Sequence, residues 1–144
     1  MTAPIRTALP GDMAEILAIE VSVFVPRLRW DPEDLAFEVS VGHVLVCADG
    51  DVGVVGYAAS KVRDGVGILS SVAVLPEAQG TGIGRLLVAA VLNRMWAAGA
   101  ECVELDCNTD LVPFCRHFWF DVCGFYTTGI GSKQLARVAM RRMP

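Results

Sequence analysis

Histidine is scarce in this chain. Of 144 residues only His43 and His117 carry an imidazole, and the five cysteines, Cys47, Cys102, Cys107, Cys115 and Cys123, contain no Cys-x-x-Cys pair. A zinc site therefore has little to work with, and no metal is expected. An odd set of thiols lying mostly in apolar runs points instead to reduced core cysteines in a reducing compartment. Long apolar runs are also missing. None reaches the ~18 residues that a membrane span requires, and the opening MTAPIRTALPGD has no long apolar core behind a basic head. The expectation is a soluble cytoplasmic protein with no membrane partner. Basic charge is in deficit too: 12 Lys and Arg face 16 Asp and Glu, for a net charge of −4 and a pI near 5.1. General nucleic-acid binding needs clustered cations, so no nucleic-acid partner is expected. Only Lys133, Arg137, Arg141 and Arg142 make a locally basic stretch.

What the chain has in quantity is apolar residues, 53 % of the total against 19 % charged, with a mean hydropathy of +0.48. Disorder is thereby excluded. A chain of this length buries roughly 68–70 % of its unfolded surface around one core, so residues 1–144 are expected to form a single domain. The apolar surplus fits a thick core or a homodimer interface, with VAMRRM as a candidate edge strand.

Periodicity sketches the elements. Residues 4–9 read as a short strand, and GDMAEILAIEVSVF sets Met13, Ile16, Leu17, Ile19 and Val23 at helical spacing with Asp12 as a cap. A second helix opens at DPEDLAFEV, where Asp31 caps, Pro32 suits the first position and Asp34 completes a capping box. Three strands, HVLVCA, VVGYAASKV and ILSSVAV, follow with Asp-Gly turns between them. RLLVAAVLNRMWAA is a helix presenting Leu86, Leu87, Ala90, Val91, Arg94 and Met95, closed by Gly99. ECVELDC is a strand, LVPFCRHFWF holds a helix, and FYTTGI and LARVAMR form a final pair. The order is β-α-α-β-β-β-α-β-α-β-β, an α/β (α+β) architecture with a mixed sheet.

The stretch PEAQGTGIGRLLV, 76–88, carries the chemistry. Gly80, Gly82 and Gly84 lie between a strand and a helix, where unbonded amides and the positive end of the helix dipole make an anion site. A side chain there would hold a phosphate away from the backbone. The loop lacks the Gly-Lys-Ser/Thr ending of a nucleoside-triphosphate loop, and it follows a meander in mid-chain rather than the first strand of a dinucleotide fold.

The string Gln79-Gly80-Thr81-Gly82-Ile83-Gly84-Arg85, after Ser71-Val72-Ala73-Val74 and Pro76-Glu77, closely resembles the pyrophosphate loop of the GNAT superfamily of acyl-CoA-dependent N-acyltransferases. Two early helices, the meander, Leu105-Asp106-Cys107-Asn108 and Gly124-Phe125 extend the resemblance along most of the chain. It implies a GNAT fold, a mixed, mostly antiparallel sheet of six to seven strands with about four helices. It also implies acetyl-CoA as acyl donor and an amine acceptor, small molecule or peptide. The amides from Gly80 to Arg85 would hold the diphosphate of coenzyme A. Val72, Ala73 and Val74 would flank the pantetheine arm, with an amide near Val72 polarising the thioester carbonyl. Asn108 matches an asparagine that contacts the cofactor.

An alkyl amine with a pKa of ~10.4 is almost wholly protonated at neutral pH, so a base, often acting through water, should help. The usual carboxylate before the glycine loop is replaced by Ile68-Leu69-Ser70-Ser71, leaving Glu104 and Asp106, which share one strand face. Asp106 aligns best with the acid of the family's ribosomal-protein acetyltransferases. The family's acid is a tyrosine four residues before Gly-Phe; here that position is Phe120, and counting forward from Asn108 reaches Phe118. Tyr126 and Cys123 lie near in sequence. The acceptor side draws on Glu20, Phe24, Arg27, Arg29, Trp30 and Asp31, with His117 and Trp119. Two function classes fit: an acetyl-CoA-dependent N-acetyltransferase, or a non-catalytic acyl-CoA-binding or regulatory domain, which amine-dependent thiol release would separate. A cysteine-nucleophile enzyme has no thiol at an evident helix start beside a base.

Overall fold

The computed structural model describes residues 4–108, 112–118, 120–127 and 134–141, with side chains for all of these but 27, 106–108, 124–127, 134–138 and 141. Among the described residues the chain forms β1 (Ile5–Thr7), α1 (Met13–Val23), α2 (Pro32–Ser40), β2 (Val44–Asp49), β3 (Gly53–Arg63), β4 (Val66–Val74), α3 (Ile83–Ala97), β5 (Cys102–Asn108), α4 (Val112–His117), β6 (Asp121–Thr127) and β7 (Gln134–Arg141). This is the order read from periodicity. Hydrogen bonding sets the strands in the order β1-β2-β3-β4-β5-β7-β6, a mixed and mostly antiparallel sheet. Its parallel ladder joins Val66–Ile68 to Cys102–Glu104. By proximity the chain falls into two compact units, Met1–Ser60 with Ser71–Arg94, and Lys61–Ser70 with Met95–Pro144.

In the first unit the core gathers Ile16 and Ile19 of α1, Leu35 and Val39 of α2, Val44 and Val46 of β2, and Val54 and Tyr57 of β3. Met13, Leu17 and Val23 pack half-buried against it, as the helical spacing predicts. Each large aliphatic side chain buried there is worth about 1.5–3 kcal/mol. Strand β2 is buried on both faces from Val44 to Cys47, which explains why HVLVCA lacks the polar alternation of a half-exposed strand. On α3 the buried stripe is Leu87, Val88, Val91, Leu92 and Met95, while Leu86 is exposed. Arg94, another residue of the helical spacing read from the sequence, is exposed too. Val88 and Leu92 take up the inward positions instead, since one step along a helix turns the side chain by about 100°.

Asp31 caps α2 as expected: its backbone is extended and its carboxylate accepts the Glu33 amide at 2.8 Å, with Pro32 in the first turn. Asp12 does not cap α1. A 3-10 turn at Pro10–Asp12 puts Asp12 in the right-handed helical region (φ −86°, ψ −8°), not the extended conformation a cap needs. Its buried carboxylate turns back to the chain before the helix. Oδ2 and Oδ1 take a fork from the Arg6 guanidinium at 2.8 and 3.0 Å, and Oδ2 also accepts the Leu9 amide at 2.7 Å.

In the second unit Asp64 and Gly65 both take positive φ, 53° and 79°, the combination a two-residue hairpin turn requires. Helix α3 ends at Gly99 (φ +93°), with the Gly99 amide on the Trp96 carbonyl and the Ala100 amide on the Met95 carbonyl, at 3.1 and 3.0 Å. This pair of bonds is a Schellman closure. Val103, Val112, Cys115 and Phe120 are buried in this unit. Strand β6 starts at Asp121, earlier than the expected Phe125. The expectation that VAMRRM lies at a sheet edge is overturned: β7 pairs with β5 on one side and β6 on the other, so the β6–β7 hairpin leaves β6 outermost. No helix among the described residues is long and apolar enough to cross a membrane.

The Arg6 hydrogen bond, then the Leu9 amide and the Arg6 charge, hold the Asp12 carboxyl below its ordinary range against the opposing cost of burial. A group with a depressed folded pKa stabilises above its unfolded value, near ~3.9, and loses that contribution as pH falls through the folded value. Asp12→Asn is therefore expected to lower unfolding free energy by about 1–2 kcal/mol at pH 7, with wild type and variant converging below ~pH 4. Urea unfolding across that range checks it.

Candidate functional site

The end of β4 is held by a bond from the Leu75 amide to the Val55 carbonyl at 2.8 Å, after which Pro76–Ala78 makes a 3-10 turn. Gln79 then ties the loop back to the strand, its Nε2 donating to the Val74 carbonyl at 3.0 Å, and Thr81 donates its hydroxyl to the Ala78 carbonyl. Gly80 and Gly82 lie at φ +81° and +89°, a backbone that other residues rarely adopt. A Cβ on either would point into open space, with nothing within 4 Å. The first bond of α3 runs from the Leu86 amide to the Gly82 carbonyl, 3.1 Å. The Ile83, Gly84 and Arg85 amides consequently have no carbonyl behind them in the helix. Bare amides, open space and the start of a 15-residue helix coincide, which is the donor set that a phosphate ester fits.

A second glycine sets this arrangement from below. A Cβ on Gly56 of β3 would come within 2.9 Å of Leu87 Cδ1, 3.1 Å of the Ala73 carbonyl and 3.4 Å of Ile83 Cγ2. The strand backbone thus presses directly against the end of β4 and the start of α3.

The sequence-predicted residues separate by unit. Val72, half-buried, with buried Ala73 and Val74, adjoins Gln79, Gly80, Thr81, Gly82, Ile83, Gly84 and Arg85 in the first unit. Glu104, Asp106, Asn108, Phe120 and Tyr126 belong to the second. There Glu104 is half-buried and registers with Ala139, Asp106 with Arg137 and Asn108 with Leu135. The side chains of Asp106, Asn108 and Tyr126, and all of Trp119, lie outside the described residues. Phe120 is buried, and half-buried Phe118 meets Phe114 and His117 edge to face at 5.4 and 5.5 Å. No group of three potential metal ligands assembles among the described residues.

A polar cluster in the first unit escaped the reading of the sequence. Tyr57 is wholly buried, and its hydroxyl shares a 2.9 Å hydrogen bond with Ser71 Oγ. Glu20, 1 % exposed, accepts the Trp30 amide through Oε1 at 2.9 Å, while its Oε2 is buried with no hydrogen-bond partner. Burial first, and then the Glu20 charge and side chain, push the Tyr57 phenol far above its ordinary pKa, while the Ser71 hydrogen bond and Trp30 act in the other direction. The available signal was an acid directly following Ile19 on the inward stripe of α1.

The model of the acetyltransferase (GNAT) family matches residues 12–125. The chain belongs to the GNAT family. A curated relative, the aminoglycoside N(6′)-acetyltransferase type 1 of Stenotrophomonas maltophilia, is 30 % identical over 151 residues, 97 % of this chain and 92 % of the relative. Among solved structures, Ard1 from Thermoplasma volcanium superposes with a TM-score of 0.87 at 18 % identity, covering all of both chains. The phosphinothricin acetyltransferase of Sinorhizobium meliloti, solved in complex with AcCoA, gives 0.80 at 21 % identity over 98 % of this chain and 89 % of that one. This GNAT protein is accordingly an acyltransferase with the GNAT fold.

The tight passage at Gly56 sets an expectation. Gly56→Ala must displace a backbone carbonyl as well as a leucine methyl, a strain of about 1–3 kcal/mol, and thermal unfolding should show a correspondingly lower midpoint. A variant as stable as wild type would mean that β3 is not packed tightly against the end of β4 and the start of α3.

Proposed function

We propose that this GNAT acyltransferase moves an acetyl group from acetyl-CoA to a primary amine, by direct attack with both substrates bound. The thioester supplies an activated acyl carbon and a thiolate leaving group. The chain's own share begins with the loop amides from Gly80 to Arg85, which hold the donor's diphosphate; each such contact is worth about 0.3–1 kcal/mol exposed and up to ~2 partly buried. Gln79 and Thr81 shape the loop through their own bonds, leaving its amides to the ligand. Val72, Ala73 and Val74 offer a strand edge to the pantetheine arm, and the amide near Val72 stabilises the developing oxyanion. The observation that carries the reading is the pair of left-handed glycines at the head of α3, whose missing side chains open onto empty space.

The family resemblance supports Asp106 as a candidate base and Asn108 as a further donor contact; Glu104 is a second candidate base from the same strand face, Phe120 a candidate donor contact at the position of the family's tyrosine, and Tyr126 a candidate acid by its nearness in sequence. For the acceptor, the 30 % identical relative makes an aminoglycoside amine the first to try, with peptide amines next. A cytoplasmic location goes with the same reading, supported by the burial of Cys47 and Cys115.

Calorimetry with acetyl-CoA tests the donor site. Wild type is expected to bind and Gly82→Glu to lose at least about tenfold in affinity, the 1.4 kcal/mol equivalent of one or two lost amide contacts. Gly11→Ala, outside the loop, is the mild control, because its Cβ would meet nothing within 4 Å. Equal binding by wild type and Gly82→Glu, or no binding by wild type, would count against the reading.

A further inference from the structure

Adjacent residues of a strand face opposite sides of the sheet. A Cβ on Gly56 would meet Leu87 and Ile83 of α3, so Tyr57 points to the other side, where it shares a core with Ile16 and Ile19 of α1 and Leu35 and Val39 of α2. Its side chain is fully buried, and its hydroxyl makes one hydrogen bond among the described residues, to Ser71 Oγ at 2.9 Å. A phenol keeps its hydrogen at neutral pH. A buried donor needs an acceptor, so that hydrogen lies on Ser71 Oγ, which fixes the direction of the bond. Ser71 is then left with a hydrogen of its own, and its hydroxyl makes no other hydrogen bond among the described residues. Unlike Tyr57, Ser71 is only half-buried. A serine that accepts from a phenol is also the stronger donor, because hydrogen bonds in a chain polarise one another.

We infer that Ser71 selects the acceptor: its hydroxyl donates to an oxygen two carbons away from the reacting nitrogen, in an N–C–C–O unit. The inference rests on the acyltransfer reading above and names the chemical class of its amine. In that reading the acyl carbonyl is held at the Val72 amide, one residue beyond Ser71. Successive residues of a strand are about 3.3 Å apart, the span of an N–C–C–O unit, so a nitrogen at the acyl carbon brings such an oxygen to Ser71. The donor's diphosphate belongs to the head of α3, on the side of the sheet that Gly56 faces. Ser71, bonded to Tyr57, lies on the side of α1 and α2, so the oxygen it meets belongs to the acceptor. Amino alcohols, amino ethers and amino-acid amides satisfy the condition. A 6′-amino sugar does so through its ring oxygen, and a peptide through its first carbonyl. A simple alkylamine does not: it displaces water from Ser71 and leaves the hydroxyl hydrogen unpaired, which costs more than a hydrogen bond gains. Tyr57 touches no substrate and is a positioning residue that sets the direction of the Ser71 hydroxyl.

Thiol release from acetyl-CoA with 2-methoxyethylamine and with n-butylamine, which differ by an ether oxygen in place of one methylene, reads this selection as a ratio of kcat/KM values. Per neutral amine, wild type is expected to favour the ether by about tenfold, and Ser71→Ala to remove that preference by slowing the ether alone. Comparing each variant with wild type on both amines cancels the difference in amine basicity. Ser71→Thr keeps a hydroxyl and should keep most of the preference. Tyr57→Phe, which leaves the Ser71 hydroxyl without a fixed direction, should lower it by about threefold, and adding Tyr57→Phe to Ser71→Ala should lower it no further. Ser70→Ala, at the exposed neighbouring residue, should leave the ratio at the wild-type value. Acetyl-CoA affinity by calorimetry should be unchanged in every variant. A ratio that Ser71→Ala does not move, or that Ser70→Ala moves equally, overturns the inference. So does a wild type that binds acetyl-CoA but acetylates neither amine at ~0.1 M, far above ordinary KM values. A wild type that does not bind acetyl-CoA at all sinks the donor reading and the inference with it, and calorimetry tells that failure from the others.

Discussion

No side chain fits between the backbone of Gly56 and the Ala73 carbonyl, and the first unit is organised by that contact. Because β3 can press against both the end of β4 and the first turn of α3, the loop joining them has little freedom. The Leu75 amide on Val55 and the Gln79 side chain on the Val74 carbonyl close it from either end. Gly80 and Gly82 then absorb the reversal in left-handed conformations, which is what leaves the following amides uncovered. A binding surface made of backbone is only as good as the packing behind it, and here that packing is a glycine against a carbonyl.

Polar groups in the same unit follow two different rules. The Arg6–Asp12 fork is satisfied on every side, and it serves to turn the chain from β1 into α1. The polar group of Glu20, Tyr57 and Ser71 is only partly satisfied, with one buried carboxylate oxygen left without a hydrogen bond. Full satisfaction is what stability selects, and a buried carboxylate oxygen without a hydrogen bond runs against it. The two clusters both involve α1, one just before its first residue and one near its last turn.

Much of the fold was legible because local rules agreed with one another. The Asp31-Pro32 start of α2, the Asp64-Gly65 turn and the Gly99 closure of α3 each depend on residues within a few positions, so the backbone geometry followed from residue type. Asp12 misled because a cap and a turn use the same residues, and only the preceding Leu9 amide and Arg6 guanidinium decided between them. The edge assignment of VAMRRM misled for a longer-range reason: a strand's neighbours depend on which ladder it joins, and β7 enters between β5 and β6.

By itself the sequence determined the glycine spacing, the helix boundaries and the family resemblance, all of which are properties of adjacent residues. Tertiary structure alone decided which acid is buried with one oxygen unsatisfied, because what surrounds Glu20 of α1 comes from other elements, and Tyr57 of β3 and Ser71 of β4 share no spacing with it along the chain. Backbone conformation is written locally, whereas desolvation is set by whatever packs around a side chain from elsewhere. The anion cradle could therefore be read in advance, and the polar chain could not.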